Sequence, residues 1–305
     1  MRTLQRLSVP SLLAALLVVV GCNVLDPAYD EGGSVQTLLE DARYARANGD
    51  FDRAAELLEA AYAQEPENAE VRLELAGTLL QREDLNSIDL VGQVTDFMRR
   101  SLDGEAGHRG GSADSCSWEG SEPTRPFDPG AFPEYGEILA ARPVLNQVRD
   151  LLAGPDGAIL PPALVALRPC DVVVDGEAVY DRDEILADLY ATFGNDPNRV
   201  RTALMLNTVT LTLNAYANVF EQPDVPVSWF LVGEQEDAHL GFCIATEEVV
   251  TFQERITEEV NNVGRAMISL DLLVHDASNA ALAALRDEAL GLYEVFEADL
   301  GLACG

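Results

Sequence analysis

The feature that most constrains the fold is a pair of amphipathic helical segments in the first third of the chain, each with its own start and stop signals. Apolar residues recur at helical spacing at Leu38, Leu39, Ala42 and Ala45. Gly49 follows, and a glycine there can take the positive φ that ends a helix. Asp50 is a good N-cap for the next helix, Pro66 stops that helix, and Asn68 can cap a third. The sequence therefore predicts a helical hairpin, followed by a helix that carries Val71, Leu73, Leu75, Leu79 and Leu80.

The sequence pattern of the hairpin partly repeats at a period of 34 residues. In this alignment Ala42 corresponds to Ala76, and Phe51 corresponds to Leu85. Its core runs from Gly49 to Leu58 and is followed by Ala61 and Pro66-Glu67-Asn68. This pattern resembles the tetratricopeptide repeat (TPR), a family of paired helices that stack and present a concave surface to other proteins. The resemblance covers Ser34 to about Leu85, and it implies a mainly α fold and a protein-interaction role.

The resemblance is incomplete at several positions. Asp41 and Arg72 stand where the family pattern has apolar or aromatic residues, and Gly92 replaces the large residue that corresponds to Leu58. An isolated hairpin cannot bury its own apolar face, and about three repeats are usually needed. We therefore expect the helix from Asn86 to Arg100, or the C-terminal region, to supply the missing cover.

Residues 1–21 have the pattern of a signal peptide, with Arg2 and Arg6 before an apolar run that is short for a membrane span. The run ends in Val19-Val20-Gly21-Cys22, which resembles the bacterial lipobox; an ordinary signal peptide that happens to contain a cysteine is the alternative. The resemblance implies that Cys22 is lipidated and anchors the chain. Because Asn23 is not the aspartate that retains lipoproteins at the inner membrane, we expect an outer-membrane lipoprotein of the cell envelope that faces the periplasm.

The charge of the chain excludes several classes of partner. It has 52 acidic and 20 basic residues, all of the latter arginine, and a formal net charge of −32. Such a charge repels nucleic acid and anionic lipid headgroups. The acidic residues are dispersed, which is typical of a solvated surface rather than a cation site. The pattern resembles proteins of salt-loving organisms, in which salt screens the self-repulsion.

Four cysteines remain besides Cys22, and in an exported protein they suggest two disulfides with three possible connectivities. They are Cys116, Cys170, Cys243 and Cys304. None forms a C-x-x-C pair, so the sequence does not indicate a redox motif or a zinc knuckle.

The composition divides the chain into five parts: the signal peptide 1–21, a tether 22–33, a TPR-like region 34–101, a Gly/Pro-rich loop or linker 102–135, and a helical C-terminal domain 136–305. In the last part, Asp-Gly at the centre of Val172–Val179 predicts a small β-hairpin. Val200–Phe220 alternates like a strand but is long for one, so we predict a helix. Thr246–His275 is a predicted long helix, and Ser278 is the predicted cap of the last helix.

The sequence carries no strong catalytic signature. It lacks a G-x-S-x-G elbow, a Walker loop, a G-x-G-x-x-G turn and an H-E-x-x-H helix. His239 and Cys243 could share a face and bind zinc, but a cysteine in a disulfide cannot serve as a ligand. The run from Asp171 to Gly176 only faintly resembles a calcium loop, since Val173 offers no ligand oxygen. We expect no enzymatic activity, no cofactor and no metal.

Two functions remain. The first is a lipid-anchored envelope protein whose TPR-like scaffold binds one or more envelope proteins of unknown identity. Its candidate contact residues are Arg43, Arg46 and Arg72, whose planar donors suit an acidic or C-terminal carboxylate partner. Alternatively, these arginines only form surface pairs with Glu40, Glu70 and Glu74. The second function is a periplasmic solute-binding or transporter-accessory lipoprotein, which an apolar pocket in the C-terminal half would favour.

Overall fold

The computed structural model describes residues 33–102, 124–153, 159–162, 164, 180–220, 227–232, 239–243 and 249–299. The predicted signal peptide, Cys22, the 172–179 hairpin and Thr246, the predicted first residue of the long helix, lie outside these residues. So do Cys116, Cys170 and Cys304, and only the backbone of Cys243 is described, so the two predicted disulfides also lie outside the described structure.

The described chain is mainly helical, with one small sheet. The helices are α1 Val35–Ala47, α2 Phe51–Gln64, α3 Ala69–Arg82, α4 Ile88–Leu102, α5 Tyr135–Ala140, α6 Arg142–Ala153, α7 Arg182–Thr192, α8 Pro197–Phe220, α9 Val249–Ala277 and α10 Ala280–Asp299. The strands are β1 Thr124–Pro126, β2 Ser228–Val232 and β3 His239–Cys243. They form an antiparallel sheet in the order β1-β2-β3. Within the described ranges, no helix combines the length and apolar character that crossing a membrane requires.

The first three helices begin and end at the predicted signals. Ser34 caps α1 by accepting a hydrogen bond from the Thr37 amide, and Gly49 follows α1 with φ +77°. The Asp50 side chain accepts from the Arg53 amide at the start of α2. Asn68 caps α3 in the same way. These local contacts satisfy the free amides at each helix start, so this part of the fold is encoded locally.

The C-terminal region completes the core of the TPR-like helices. Helix α3 is buried on nearly all sides, and it packs against α2, α6 and α8. A Cβ built on Gly77 of α3 would lie 3.6 Å from Leu206 Cδ1 of α8, so the two helices approach closely there. One cluster of buried apolar side chains runs from Leu38 to Leu273. The two regions predicted as separate domains therefore share one core.

Helix α8 lies at the centre of this core. It packs against α3, α4, α5, α6, α7 and α9, and its longest interface is with α9. Polar side chains on α8 are buried together with the apolar ones and bond to its neighbours: Asn207 Nδ2 donates to Ser269 Oγ at 2.8 Å, and Asn214 Nδ2 donates to Asn146 Oδ1 at 2.9 Å. The prediction of a helix over 200–220 is confirmed.

Aromatic side chains connect the sheet to the helices. Phe127 and Phe132 are buried, and both lie against Phe97 of α4, with ring centroids 6.1 and 5.4 Å from it. The sheet begins inside the segment that we predicted as a loop or linker, because Thr124–Pro126 pairs with β2. The end of that segment is therefore part of the fold rather than a separator between domains.

Two details of the C-terminal half bear on hypotheses raised from the sequence. Ser278 does not cap α10, because it has a φ of +50° and its amide bonds to Val274 at the end of α9. Asn279 accepts from the Ala281 amide and is the cap. His239 and Cys243 lie four residues apart on a strand, so their backbones are about 13 Å apart. That spacing is too long for the two residues to share one zinc ion.

Candidate functional site

The candidate site is an arginine cluster where α1, α3 and α8 meet. Arg43 Nη2 lies 2.5 Å from Glu70 Oε1 and 3.0 Å from Glu74 Oε1. Arg46 Nη1 lies 2.6 Å from Glu74 Oε2, and Arg199 Nη2 lies 2.5 Å from Glu70 Oε1. Each carboxylate thus binds two arginines, so the three guanidinium groups are held in fixed positions. We call these five residues the arginine cluster.

The arginine cluster remains accessible to solvent. The side chains of Arg43, Arg46 and Arg199 are 36, 31 and 36% exposed. The hydrogen bond to Glu70 raises the pKa of Arg43, and partial burial opposes that effect. Ion pairs at this degree of exposure contribute only about 0–1 kcal/mol each. A partner can therefore replace these pairs at little cost.

Arg72 does not belong to this surface. Its side chain is 1% exposed, and its Nη2 donates to the backbone carbonyl of Asp150 in α6 at 3.4 Å. Its guanidinium also lies 5.8 Å from the centre of the Tyr62 ring. The physical reason is that α6 covers the side of α3 that carries Arg72. A partner cannot reach Arg72 in this structure, so only Arg43 and Arg46 of the three predicted contact residues are accessible.

Sequence reasoning missed one member of the arginine cluster and one exposed aromatic side chain on α1. Tyr44 follows Arg43 in α1. Its side chain is 72% exposed, and among the described residues it is the large hydrophobic side chain that is exposed to solvent. Glu40 and Asn48 lie four positions before and after Tyr44, so they are its neighbours on the helix surface. Because both are polar, they could have indicated that this side of α1 is exposed to solvent. Arg199 belongs to a distant part of the chain and pairs with Glu70. No local sequence pattern predicts that contact.

The surface can recognise a partner but shows no arrangement for catalysis. Tyrosine and arginine are the residue types enriched at protein interfaces, because they offer large contact areas and directed hydrogen bonds. The planar guanidinium groups of Arg43 and Arg46 suit carboxylate groups. Neither glutamate of the arginine cluster has a nucleophile or histidine among its described hydrogen-bond partners.

Comparison with known proteins identifies a repeat that includes Arg46, Glu70 and Glu74 of the arginine cluster. Residues 45–87 match the family model described as Tetratricopeptide repeat. The matched stretch begins at the end of α1, includes α2 and α3, and ends just before α4. A search of curated proteins and a search of solved structures returned no match. Such repeats mediate protein–protein interaction, which is consistent with a protein partner. Residues 45–87 thus form a TPR-like unit within a mainly α-helical protein.

Proposed function

We propose that this chain is a lipid-anchored cell-envelope protein that binds another envelope protein through the exposed side of α1. The observations that support this proposal are the TPR-like unit of residues 45–87 and the accessible side chains of Arg43, Tyr44 and Arg46 on α1, the helix that leads into it. On α3, the side that carries Arg72 is covered by α6 of the same chain. The partner site is therefore smaller than a full repeat groove.

The chemistry of this surface favours a partner that presents a carboxylate, either on an acidic side chain or at a C-terminus. The chain as a whole is strongly acidic and repels such a partner at long range. At physiological ionic strength this repulsion is screened beyond about 8 Å. The arginine cluster then attracts the partner once the two proteins are in contact. Arg43 and Arg46 release their ion pairs with Glu70 and Glu74 and bind the partner's carboxylate instead.

Replacing Arg43 and Arg46 together with glutamine is expected to reduce binding of the partner by at least about tenfold. In the complex the pairs with the partner are shielded from solvent, and hydrogen bonds to charged groups then contribute about 1.5–3 kcal/mol each, more than the exposed pairs of the free protein. The measurement is crosslinking in the native host, followed by mass spectrometry of the adducts. A matched control is Arg99→Gln with Arg100→Gln, since these exposed arginines also share a carboxylate, that of Asp96.

The control variant should give the same adducts as the wild type, and both variants should keep the helical circular dichroism of the wild type. If the Arg43→Gln, Arg46→Gln variant keeps its fold and still gives every adduct at the wild-type level, the partner does not bind at the arginine cluster.

The membrane anchor is proposed from the sequence, because Val19-Val20-Gly21-Cys22 ends an apolar run after Arg2 and Arg6. Cys22→Ala is expected to leave the precursor uncut by the lipoprotein signal peptidase and without acyl chains, so that it no longer fractionates with the outer membrane. Mass spectrometry of the mature N-terminus provides the measurement. A wild-type chain that begins at another residue and carries no acyl chain would refute the lipid anchor.

A solute-binding or transporter-accessory role is the second candidate, and the described structure contains an apolar cavity of the kind that this role would use. The cavity lies between α4, α8, α9 and α10, and its wall includes Met98, Tyr216, Val263 and Met267. Its volume is about 80 Å³. A dry engineered cavity that binds benzene has about 150 Å³. This cavity is therefore too small for most solutes, and the scaffold function is the better supported of the two.

A further inference from the structure

Within the described part of the chain, a buried carboxylate lies between α8 and α9 with no cation in contact. Glu259 of α9 is 8% exposed, and both of its described hydrogen-bond partners are neutral amides. Asn218 Nδ2 of α8 donates to its Oε1 at 2.9 Å, and Asn262 Nδ2 of α9 donates to its Oε2 at 3.1 Å. A buried charge that lacks an opposite charge loses hydration without full compensation. Burial in this position therefore favours the neutral, protonated form of Glu259.

The charges around Glu259 do not compensate for its burial. Burial raises the pKa of Glu259 above its ordinary value of 4.5, and the hydrogen bonds from the two amides oppose this only in part. Glu258 of the same helix raises the pKa further, whereas Arg149 of α6, which also contacts Asp150, lowers it. Arg265 of α9 donates to Asn262 Oδ1 and not to Glu259. The described charged side chains of α8 and α10, the helices packed on α9, form their ion pairs with other residues: Arg199, Arg201, Arg286, Asp287 and Glu288.

A chain of amide groups extends from Glu259 across α8 to α6. Asn218 Nδ2 also donates to Asn214 Oδ1 at 2.8 Å, and Asn214 Nδ2 donates to Asn146 Oδ1 at 2.9 Å. Asn214 is fully buried, whereas Asn146 at the end of the chain is partly exposed. Because each amide carries both a donor and an acceptor, a half-turn of all three reverses the chain, and Asn218 Oδ1 then accepts from a protonated Glu259. The interface can therefore form hydrogen bonds with either form of Glu259.

We infer that Glu259 is a proton-binding site that makes the packing of α9 against α8 and α6 depend on pH. The protonated carboxyl suits the buried position best, so this interface is most stable in mildly acidic surroundings. Helix α8 also packs on α3 and α4, and the response to pH therefore reaches the core that supports the TPR-like helices. This proton site goes beyond the scaffold function, because Glu259 lies outside the arginine cluster and outside the predicted lipid anchor. Loss of partner binding in the Arg43→Gln, Arg46→Gln variant would leave it unaffected.

The test is thermal unfolding of the full chain, as wild type and as Glu259→Gln, from about pH 5 to about pH 8 at one ionic strength. With a raised pKa in the folded state, the bound proton stabilises the fold below the ordinary pKa of 4.5, and this stability is lost as the pH rises through the folded-state pKa. Glutamine stays neutral and offers a donor where the protonated carboxyl has one. The melting temperature of Glu259→Gln minus that of the wild type should therefore increase with pH.

Glu254→Gln is the matched control, because Glu254 is an exposed glutamate of the same helix. Its difference from the wild type should stay constant over the same pH range. Glu259→Met is a second neutral variant, and it should show the same upward trend as Glu259→Gln, since a constant offset in stability leaves the trend unchanged. The proposal is overturned if, in either Glu259 variant, the difference from the wild type stays constant or decreases as the pH rises. It is also overturned if Glu254→Gln shows the same increase, since the response would then come from the net charge of the chain.

Discussion

Asp271→Asn is expected to lower the free energy of unfolding by about 2–4 kcal/mol at neutral pH, since removing one member of a buried ion pair leaves its partners uncompensated. Asp271 is 8% exposed and accepts hydrogen bonds from Tyr180 Oη, from Arg182 Nε and Nη2, and from Arg286 Nη1. These contacts connect α9 with α7, with α10 and with Tyr180, two residues before α7. Arg182 and Arg286 are partly exposed and regain some hydration, so the expected loss is below that of a fully buried pair.

The effect of Asp271→Asn depends on pH in a defined direction. Burial alone would raise the pKa of Asp271, but hydrogen bonds from Arg182 and Tyr180 outweigh it and hold the pKa below its usual value. A carboxylate with a lowered pKa adds stability above its unfolded pKa, which is about 4, and this stability is lost as the pH falls through the folded pKa. Urea unfolding should therefore show a large difference between variant and wild type at pH 7, and a shrinking one below pH of about 4.

Asp287→Asn is the matched control for this experiment. Asp287 also pairs with Arg286, but its side chain is 65% exposed. We expect that this change alters the free energy of unfolding by less than about 0.5 kcal/mol, as is usual for surface substitutions. Equal effects of Asp271→Asn and Asp287→Asn would show that the contacts of Asp271 do not hold α7 and α10 to α9.

Elements with local signals could be predicted from the sequence. Asp50 and Asn68 each cap the expected helix, because the capping bond joins residues two or three positions apart. Gly49 ends α1 for a similarly local reason. The last helix shows the limit of such signals. Ser278 and Asn279 are both good capping residues, and only the positive φ of Ser278 assigns the cap to Asn279.

Helix α8 shows why periodicity alone was ambiguous. Thr208, Thr210 and Thr212 alternate with apolar residues as in a strand, yet all three are buried in a helix. Because neighbours surround α8, it needs no polar face, and the usual helical period is absent from its sequence. The hydroxyl of Thr208 donates to Leu204 O at 2.9 Å within the helix. Length was the feature that gave the right prediction.

The candidate site was only partly predictable, because its composition depends on contacts between distant segments. We grouped Arg43 with Arg72, although Arg72 stands where the repeat pattern has an apolar or aromatic residue. In the structure, Arg43 stays accessible because it faces Glu70 and Glu74, whereas Arg72 is covered by α6. Arg199 reaches Glu70 across 129 positions of sequence. The need for a cover over α3 followed from the repeat pattern, but the identity of the covering helices did not.

Helices α6 and α8 complete the core of the TPR-like helices, so these helices do not form an independent unit. The most direct test is the thermal unfolding of a fragment of residues 33–102, followed by circular dichroism beside the full chain. The fragment lacks α6 and α8, which pack on α3, and a chain of this length rarely has a sufficient core of its own. It should therefore show reduced helical signal and no cooperative transition. A fragment that keeps the helicity of α1–α4 and melts cooperatively near the temperature of the full chain would contradict the claim.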